Sequence, residues 1–302
     1  MSGKLEWNRD GDGWPNRDFS QFIDVNGLRF HVQCLGDGDP ALLVHGTGAS
    51  THSFSELATL LSKRFKVIVP DLPGHGFTDM PAYKDLTLPM MAKMLAGLLE
   101  SLGARPVLAI GHSAGAAILI RMILNDLIAP RLLVSLNGAI LPLHGVPGHI
   151  FAPLANLFIK SGFMSRFFAW RARHTGLVSN LMRQTGSTIP DTQLTHYETL
   201  ARSSAHVDAA IGMMANWDLE TLEPELVRLD TDVLLISGGN DRMIAPSQSL
   251  RLRRILPNAQ LELLSDLGHL AHEEDPRTID AIILDRWEKQ SAKGASKVQN
   301  EH

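Results

Sequence analysis

Short apolar runs punctuated by Gly, Pro, Asp or Asn recur along the chain, at positions 28–35, 41–45, 66–70, 107–111, 132–136, 233–237 and 260–264. Runs of this length with such boundaries read as buried strands. Between several of them the apolar positions switch to helical spacing, over 54–61, 88–102, 116–127, 246–255 and 276–287. Strand alternating with helix predicts an α/β fold, a mostly parallel, doubly wound sheet of about eight strands with helices on both faces. Positions 22–25 and 28–30, joined by Asn26-Gly27, read instead as an antiparallel hairpin.

The rhythm breaks between about 142 and 229, where apolar residues keep a helical period and no strand is evident. This predicts a helical cap, 142–229, between two parts of the core, 19–141 and 230–290, with flexible ends at 1–18 and 291–302. The cap carries Phe151, Phe158, Phe163, Phe167, Phe168, Trp170, Met182, Met213, Met214 and Trp217. Stripes of this kind usually pack a helix onto its neighbours; the sharper alternative is that some line a pocket.

Composition narrows the function. The 302 residues are 44% hydrophobic and 20% charged, enough for a sizeable core. With 28 basic and 32 acidic residues the net charge is −4, which gives no general attraction for nucleic acid. A small neutral or amphipathic ligand is the better expectation. The single cysteine, Cys34, excludes an internal disulfide and a thiolate zinc site, and points to a reducing cytoplasm. Positions 1–18 lack the pattern of a secretory signal. The most apolar stretch, 132–159, is interrupted by Asn137, Pro142, His144, Pro147 and His149, so it fails as a spanning helix and leaves only a peripheral membrane contact open.

Gly111-His112-Ser113-Ala114-Gly115 follows one predicted strand and precedes a predicted helix, the setting of a nucleophile elbow. An ordinary strand-to-helix turn is the bland alternative. A serine hydroxyl needs a base to take its proton and an acid to orient the base. Asp241, in the loop after the strand at 233–237, is the candidate acid, and His269, after the last strand, the candidate base. Asp266, Asp71 and Asn240 are the rivals for the acid. His272 is the nearest rival among thirteen histidines, and its place beside Glu273 and Glu274 suggests a solvated helix start. Acyl transfer also needs donors for the developing oxyanion. His45-Gly46-Thr47-Gly48, after the strand at 41–45, offers the Thr47 amide, and Ala114 offers the second. Asp71-Leu72-Pro73-Gly74-His75-Gly76 reads as a compact turn on the pocket rim. No histidine or acid has the spacing of a zinc or two-metal site, so no metal and no cofactor is expected.

The motifs from His45-Gly46 through Asp71-x-Pro73-Gly74-x-Gly76, Gly111-x-Ser113-x-Gly115, Gly239-x-Asp241 and Gly268-His269 resemble the α/β-hydrolase superfamily over nearly the whole chain. More narrowly, the runs at 45–53, 72–78, 88–91, 111–117 and 213–218 look like one branch, the magnesium-chelatase accessory proteins of bacteriochlorophyll biosynthesis. The resemblance implies a cap-bearing hydrolase fold and a role near magnesium insertion, with magnesium chelatase subunits as partners. Serine at 113 argues against the dehalogenase and epoxide-hydrolase chemistry that the superfamily pairs with Asp there.

Two functions follow as expectations. One is an esterase-like acyl hydrolase acting on an apolar or tetrapyrrole-related molecule. The other is a non-catalytic accessory that binds a porphyrin or the chelatase. Arg166, Arg171, Arg173 and Arg183 lie among cap aromatics and could pair with propionates, although a solvated basic helix face explains them equally well.

Overall fold

The computed structural model describes residues 3–142 and 176–300, with side chains to position 292. Eight strands form one sheet: β1 Ser20–Val25, β2 Leu28–Leu35, β3 Asp39–Val44, β4 Phe65–Pro70, β5 Leu108–His112, β6 Leu132–Leu136, β7 Asp232–Gly238 and β8 Ala259–Leu264. Their order is β1-β2-β4-β3-β5-β6-β7-β8. β1 and β2 pair antiparallel, as do β2 and β4; every later pair is parallel. Asn26 and Gly27 both have positive φ, 51° and 83°, as a two-residue hairpin turn matched to the strand twist requires.

The main helices are α1 Trp7–Asp10, α2 Ser55–Leu61, α3 Leu88–Ser101, α4 Ala114–Leu124, α5 Leu177–Gln184, α6 Asp191–Ala201, α7 Ser204–Ala215, α8 Pro246–Ile255, α9 Ala271–Glu274 and α10 Pro276–Asn300. Alternation along the strands splits the core into two layers. Leu42, Val44, Leu133, Val233 and Leu235 face α3, α4 and α8. Ala41, Leu43, Val134, Leu234 and Ile236 face α2 and α10, whose Leu57, Leu61, Ile279 and Ile283 are buried with them. β5 and β6, covered on both faces, contain no exposed residue.

Two expectations need correction. The last strand is not buried: β8 sits at the sheet edge, and none of its six residues is fully covered. The amino-terminal segment is packed, not flexible. Leu5 and Trp14 are buried, Trp14 Nε1 donates to Thr51 Oγ1 at 3.1 Å, and the Gly3 carbonyl accepts from Ser203 Oγ and Ala205 N. An indole buries enough apolar area to order a polar segment. The carboxyl-terminal tail continues α10 through Asn300. Among the described residues of the 142–229 region there is no strand, and no helix is long and apolar enough to cross a membrane. Phe151, Phe158, Phe163, Phe167, Phe168, Trp170, Arg166, Arg171 and Arg173 lie outside the described residues. Of the others, Met213 is buried and Met214 exposed, and Arg183 is exposed, its guanidinium bonded to Asn180.

Candidate active site

The carboxyl ends of β3, β5, β6, β7 and β8 are continued by His45–Ala49, Ser113, Asn137, the loop bearing Asp241 and the loop bearing His269. Sites of open α/β sheets form at that edge.

Ser113 sits between β5 and α4 with φ 51° and ψ −119°, a conformation that costs a side-chain-bearing residue of order 1–3 kcal/mol. The surroundings hold it there: Ser113 N donates to the Leu136 carbonyl, and its own carbonyl accepts from Ala139 N, both at 3.0 Å. Gly115 admits the close crossing of α4 over β3. A Cβ on it would run into the Val44 carbonyl oxygen, and one on Gly111 would meet Ala116 backbone. The helix starts at Ala114, two positions earlier than its apolar spacing suggests. As the first helical residue Ala114 leaves its N–H without an intrahelical acceptor.

Asp241 and His269 come together. His269 Nδ1 donates to Asp241 Oδ2 at 2.9 Å, and both residues are buried. Asp241 Oδ1 accepts from Met243 N and Ile244 N at 2.8 and 2.9 Å, while Oδ2 also accepts from Asn137 Nδ2 at 2.7 Å. Four donors thus fix one carboxylate and, through it, one imidazole. Among the described residues Ser113 Oγ makes no hydrogen bond, to His269 or otherwise. The rival acids lie elsewhere: Asp71 is paired with His31, Asp266 is exposed, and Asn240 is exposed and bonded to the Asp266 carbonyl.

The loop after β3 flanks the serine. A Cβ on Gly46 would lie 3.0 Å from Ser113 Cβ and from His112 Nδ1, so backbone approaches the elbow as closely as a glycine allows. Ala49 N closes the loop on the Gly46 carbonyl at 3.2 Å. Thr47 Oγ1 donates to Met213 Sδ of α7 at 3.5 Å.

His272 is not solvated. It is buried behind the site, its Nε2 2.9 Å from Ser53 Oγ and its ring 4.5 Å from that of His112. Burial first, then His269, pushes its pKa down to about 3. Neighbouring Glu273 is buried as well and accepts from Ser53 Oγ and Tyr197 Oη at 2.5 and 2.7 Å. Burial outweighs those bonds and raises its pKa to about 7.

Sequence reasoning missed three residues here. Asn137 registered only as an interruption of an apolar stretch; its position just after β6 was the available signal. His112 Nε2 donates to the His269 carbonyl at 3.0 Å, and its burial drives its pKa well down, with His272 and His269 adding to the effect. His206, on the cap helix α7, reaches the Gly48 carbonyl and gave no local signal. The turn at 71–76 is buried rather than peripheral, with Asp71 and His75 fully covered. No group of three or more His, Cys, Asp or Glu among the described residues is arranged to hold a metal.

Residues 39–276 match the alpha/beta hydrolase fold family, which accounts for the sheet, its strand order and the elbow together. The chain belongs to that family. Within the α/β hydrolases it is 37% identical over 278 residues to the magnesium-chelatase 30 kDa subunit of Rhodobacter capsulatus, covering 90% of this chain and 95% of that one. It is 25% identical to the 2-hydroxy-6-oxo-2,4-heptadienoate hydrolase of Pseudomonas putida, over 89% of this chain and 96% of that one. Among solved structures, an α/β hydrolase fold protein from Burkholderia ambifaria superposes with a TM-score of 0.76 at 28% identity, covering 89% of this chain and 98% of that one.

Proposed function

We propose that this α/β hydrolase is a serine hydrolase of the esterase type, working at or beside the magnesium chelatase step of bacteriochlorophyll synthesis. Ser113 attacks an acyl carbon, His269 takes the serine proton and returns it to the leaving group, and Asp241 holds His269 in the Nδ1–H tautomer. The Thr47 and Ala114 amides receive the oxyanion. The observation that carries the reading is the bonded Asp241–His269 pair, its carboxylate fixed by three further donors, at the same sheet edge as a serine strained onto an elbow. His269 Nε2 engages Ser113 once substrate closes the site, since such bonds are often long before binding. The pathway role rests on the Rhodobacter capsulatus relative, whose name places it with magnesium chelatase. An apolar or tetrapyrrole-related ester is the corresponding substrate class.

The test is labelling of the purified protein by a fluorophosphonate, with Ser113→Ala and His269→Ala as controls. Labelling lost in both variants supports the mechanism. A folded wild type that stays unlabelled removes it. A second reading, a non-catalytic accessory that binds a porphyrin or a chelatase subunit, is favoured by that same relative's name and by a Ser113 hydroxyl that is not bonded to His269. It requires Ser113→Ala to support pigment synthesis in cells as well as the wild type does.

A further inference from the structure

Among the described residues of the cap, one helix packs on the loop that carries Thr47. Helix α7 presents His206, Ala209 and Met213 to the core, three positions spaced 3 and 4 apart and therefore on one helix face. Met213 Sδ accepts from Thr47 Oγ1 at 3.5 Å. Ala209 packs on Gly74, where a Cβ would collide with its methyl group. His206, buried, lies between two backbone segments, its Nδ1 3.1 Å from Gly76 N and its Nε2 3.1 Å from the Gly48 carbonyl.

The hydrogen bonds assign the tautomer. Gly76 N–H can only donate, so Nδ1 accepts; Nε2 then carries the proton and donates to Gly48. Both bonds require a neutral ring. Burial supplies one, lowering the His206 pKa to about 4 against a smaller opposing pull from the Gly48 bond. His45 repeats the arrangement from the other side of the loop. Its Nε2 accepts from Leu72 N at 2.9 Å and its Nδ1 donates to the Gly46 carbonyl at 2.8 Å. Two neutral imidazoles, each seated on a backbone amide of the 71–76 turn, therefore brace the carbonyls on either side of Thr47.

That bracing aims the Thr47 amide. The Gly46 carbonyl and the Thr47 N–H belong to one planar trans peptide and point in opposite directions, so fixing the first directs the second. Gly48, at φ 79° with open space where a Cβ would be, is otherwise the freest point of the loop, and His206 is what holds its carbonyl. We propose that His206 is a positioning residue of the cap that holds the Thr47–Gly48 loop in the orientation an oxyanion requires. The inference rests on the serine-hydrolase reading above.

The experiment compares the fluorophosphonate labelling rate, and kcat and KM for a p-nitrophenyl ester, in wild type, His206→Leu, His206→Gln and Met214→Ala. Losing one oxyanion donor costs about 10²–10³ in kcat, so a misaimed donor should cost His206→Leu about tenfold or more in kcat, with KM within about twofold. Gln, whose amide can donate to Gly48, should recover most of that. Met214→Ala, exposed on the same helix, should match wild type. Should His206→Leu not fold, His206→Asn carries the test: its carbonyl still accepts from Gly76 but its side chain is too short to reach Gly48, so it should lose rate as Leu would. A folded His206→Leu or His206→Asn that labels at the wild-type rate overturns the positioning role alone. An unlabelled wild type overturns the hydrolase reading and this inference together.

Discussion

Among the described residues are two buried histidine–aspartate pairs of nearly the same geometry. In one, His269 Nδ1 meets Asp241 Oδ2 at 2.9 Å. In the other, His31 Nδ1 meets Asp71 Oδ2 at 2.7 Å, and His31 Nε2 lies 3.0 Å from Ser20 Oγ. The second is the more complete Ser-His-Asp arrangement, since Ser113 Oγ makes no hydrogen bond to His269 among the described residues. Yet Ser20 lies at the start of the edge strand β1 with extended backbone, its oxygen also engaged by Gln33 Nε2. Ser20 runs on into β1 rather than into a helix as Ser113 does, and Trp7, Phe22 and Phe77 pack their rings around His31. Side-chain geometry alone therefore does not mark a nucleophile. What separates the pairs is the strained elbow, the helix start and the glycine loop.

The sharpest way to break this comparison is to remove each serine. Ser113→Ala should abolish fluorophosphonate labelling and lower ester hydrolysis by at least about 10³-fold, with a residual rate from the remaining donors. Ser20→Ala should label within about twofold of wild type. Labelling kept in Ser113→Ala and lost in Ser20→Ala would place the nucleophile on the other pair.

Exchanging the acids should separate turnover from stability. Asp71 accepts from Thr51 N at 2.7 Å and Phe77 N at 2.9 Å besides His31. Burial works to raise its pKa, but His31, His45 and the Phe77 amide outweigh it and hold the group at about 2. Asp71→Asn turns an amide group toward donors and leaves buried His31 without its carboxylate, at a cost of roughly 3–5 kcal/mol. That is a large part of an ordinary folding free energy. Asp241→Asn should instead lower kcat by about 10⁴ through the wrong His269 tautomer. Urea unfolding beside labelling rates decides the matter, and a stable Asp71→Asn would remove the structural role given to that pair.

Most of this was legible in the sequence for a physical reason. Strands buried on both faces must be uniformly apolar, so β3, β4, β5, β6 and β7 stood out, and the elbow is a local motif whose glycines are dictated by backbone contact. The edge strand β8 was read as buried because its apolar content resembles that of β7, and neighbours, not composition, decide exposure. His112, Asn137 and His206 were not legible. Each acts on a residue more than a hundred positions away, and no spacing rule reports such pairing. The burial of Trp14 was missed because its polar surroundings outweighed a single ring.

The shells around the two pairs also differ: aromatic rings pack on His31, His272 and Glu273 are buried behind His269, and His206 sits on the turn that follows Asp71. His272 and His206, with pKa values of about 3 and 4, stay neutral in the fold while the unfolded chain protonates them near pH 6.5. Stability should therefore fall on acidification below 6.5, by about 1.4 kcal/mol per pH unit for each group. Glu273 works in the opposite sense. Raised to about 7, it keeps its proton in the fold while the unfolded chain loses one above about pH 4.5, so it destabilises increasingly up to pH 7. Glu273→Gln should gain on wild type between pH 5 and 8, by on the order of 3 kcal/mol. A difference that does not change with pH would show that Glu273 ionises normally.

The smallest expected effect tests how the aromatic shell supports Asp71. Trp14 Nε1 donates to Thr51 Oγ1 at 3.1 Å, and Thr51 N donates in turn to Asp71 Oδ1. The indole also stands edge-on to Phe77 at 4.9 Å. Trp14→Phe keeps an aromatic ring there but removes the N–H, leaving a buried hydroxyl short of one partner at a cost of about 1 kcal/mol. Because Trp14 bonds Thr51 and packs on Phe77, and reaches neither Ser113 nor His269, the labelling rate should be unchanged. A loss of labelling with unchanged stability would mean that the amino-terminal segment acts on the Ser113 side of the molecule, and that the two histidine–aspartate pairs are coupled rather than separate.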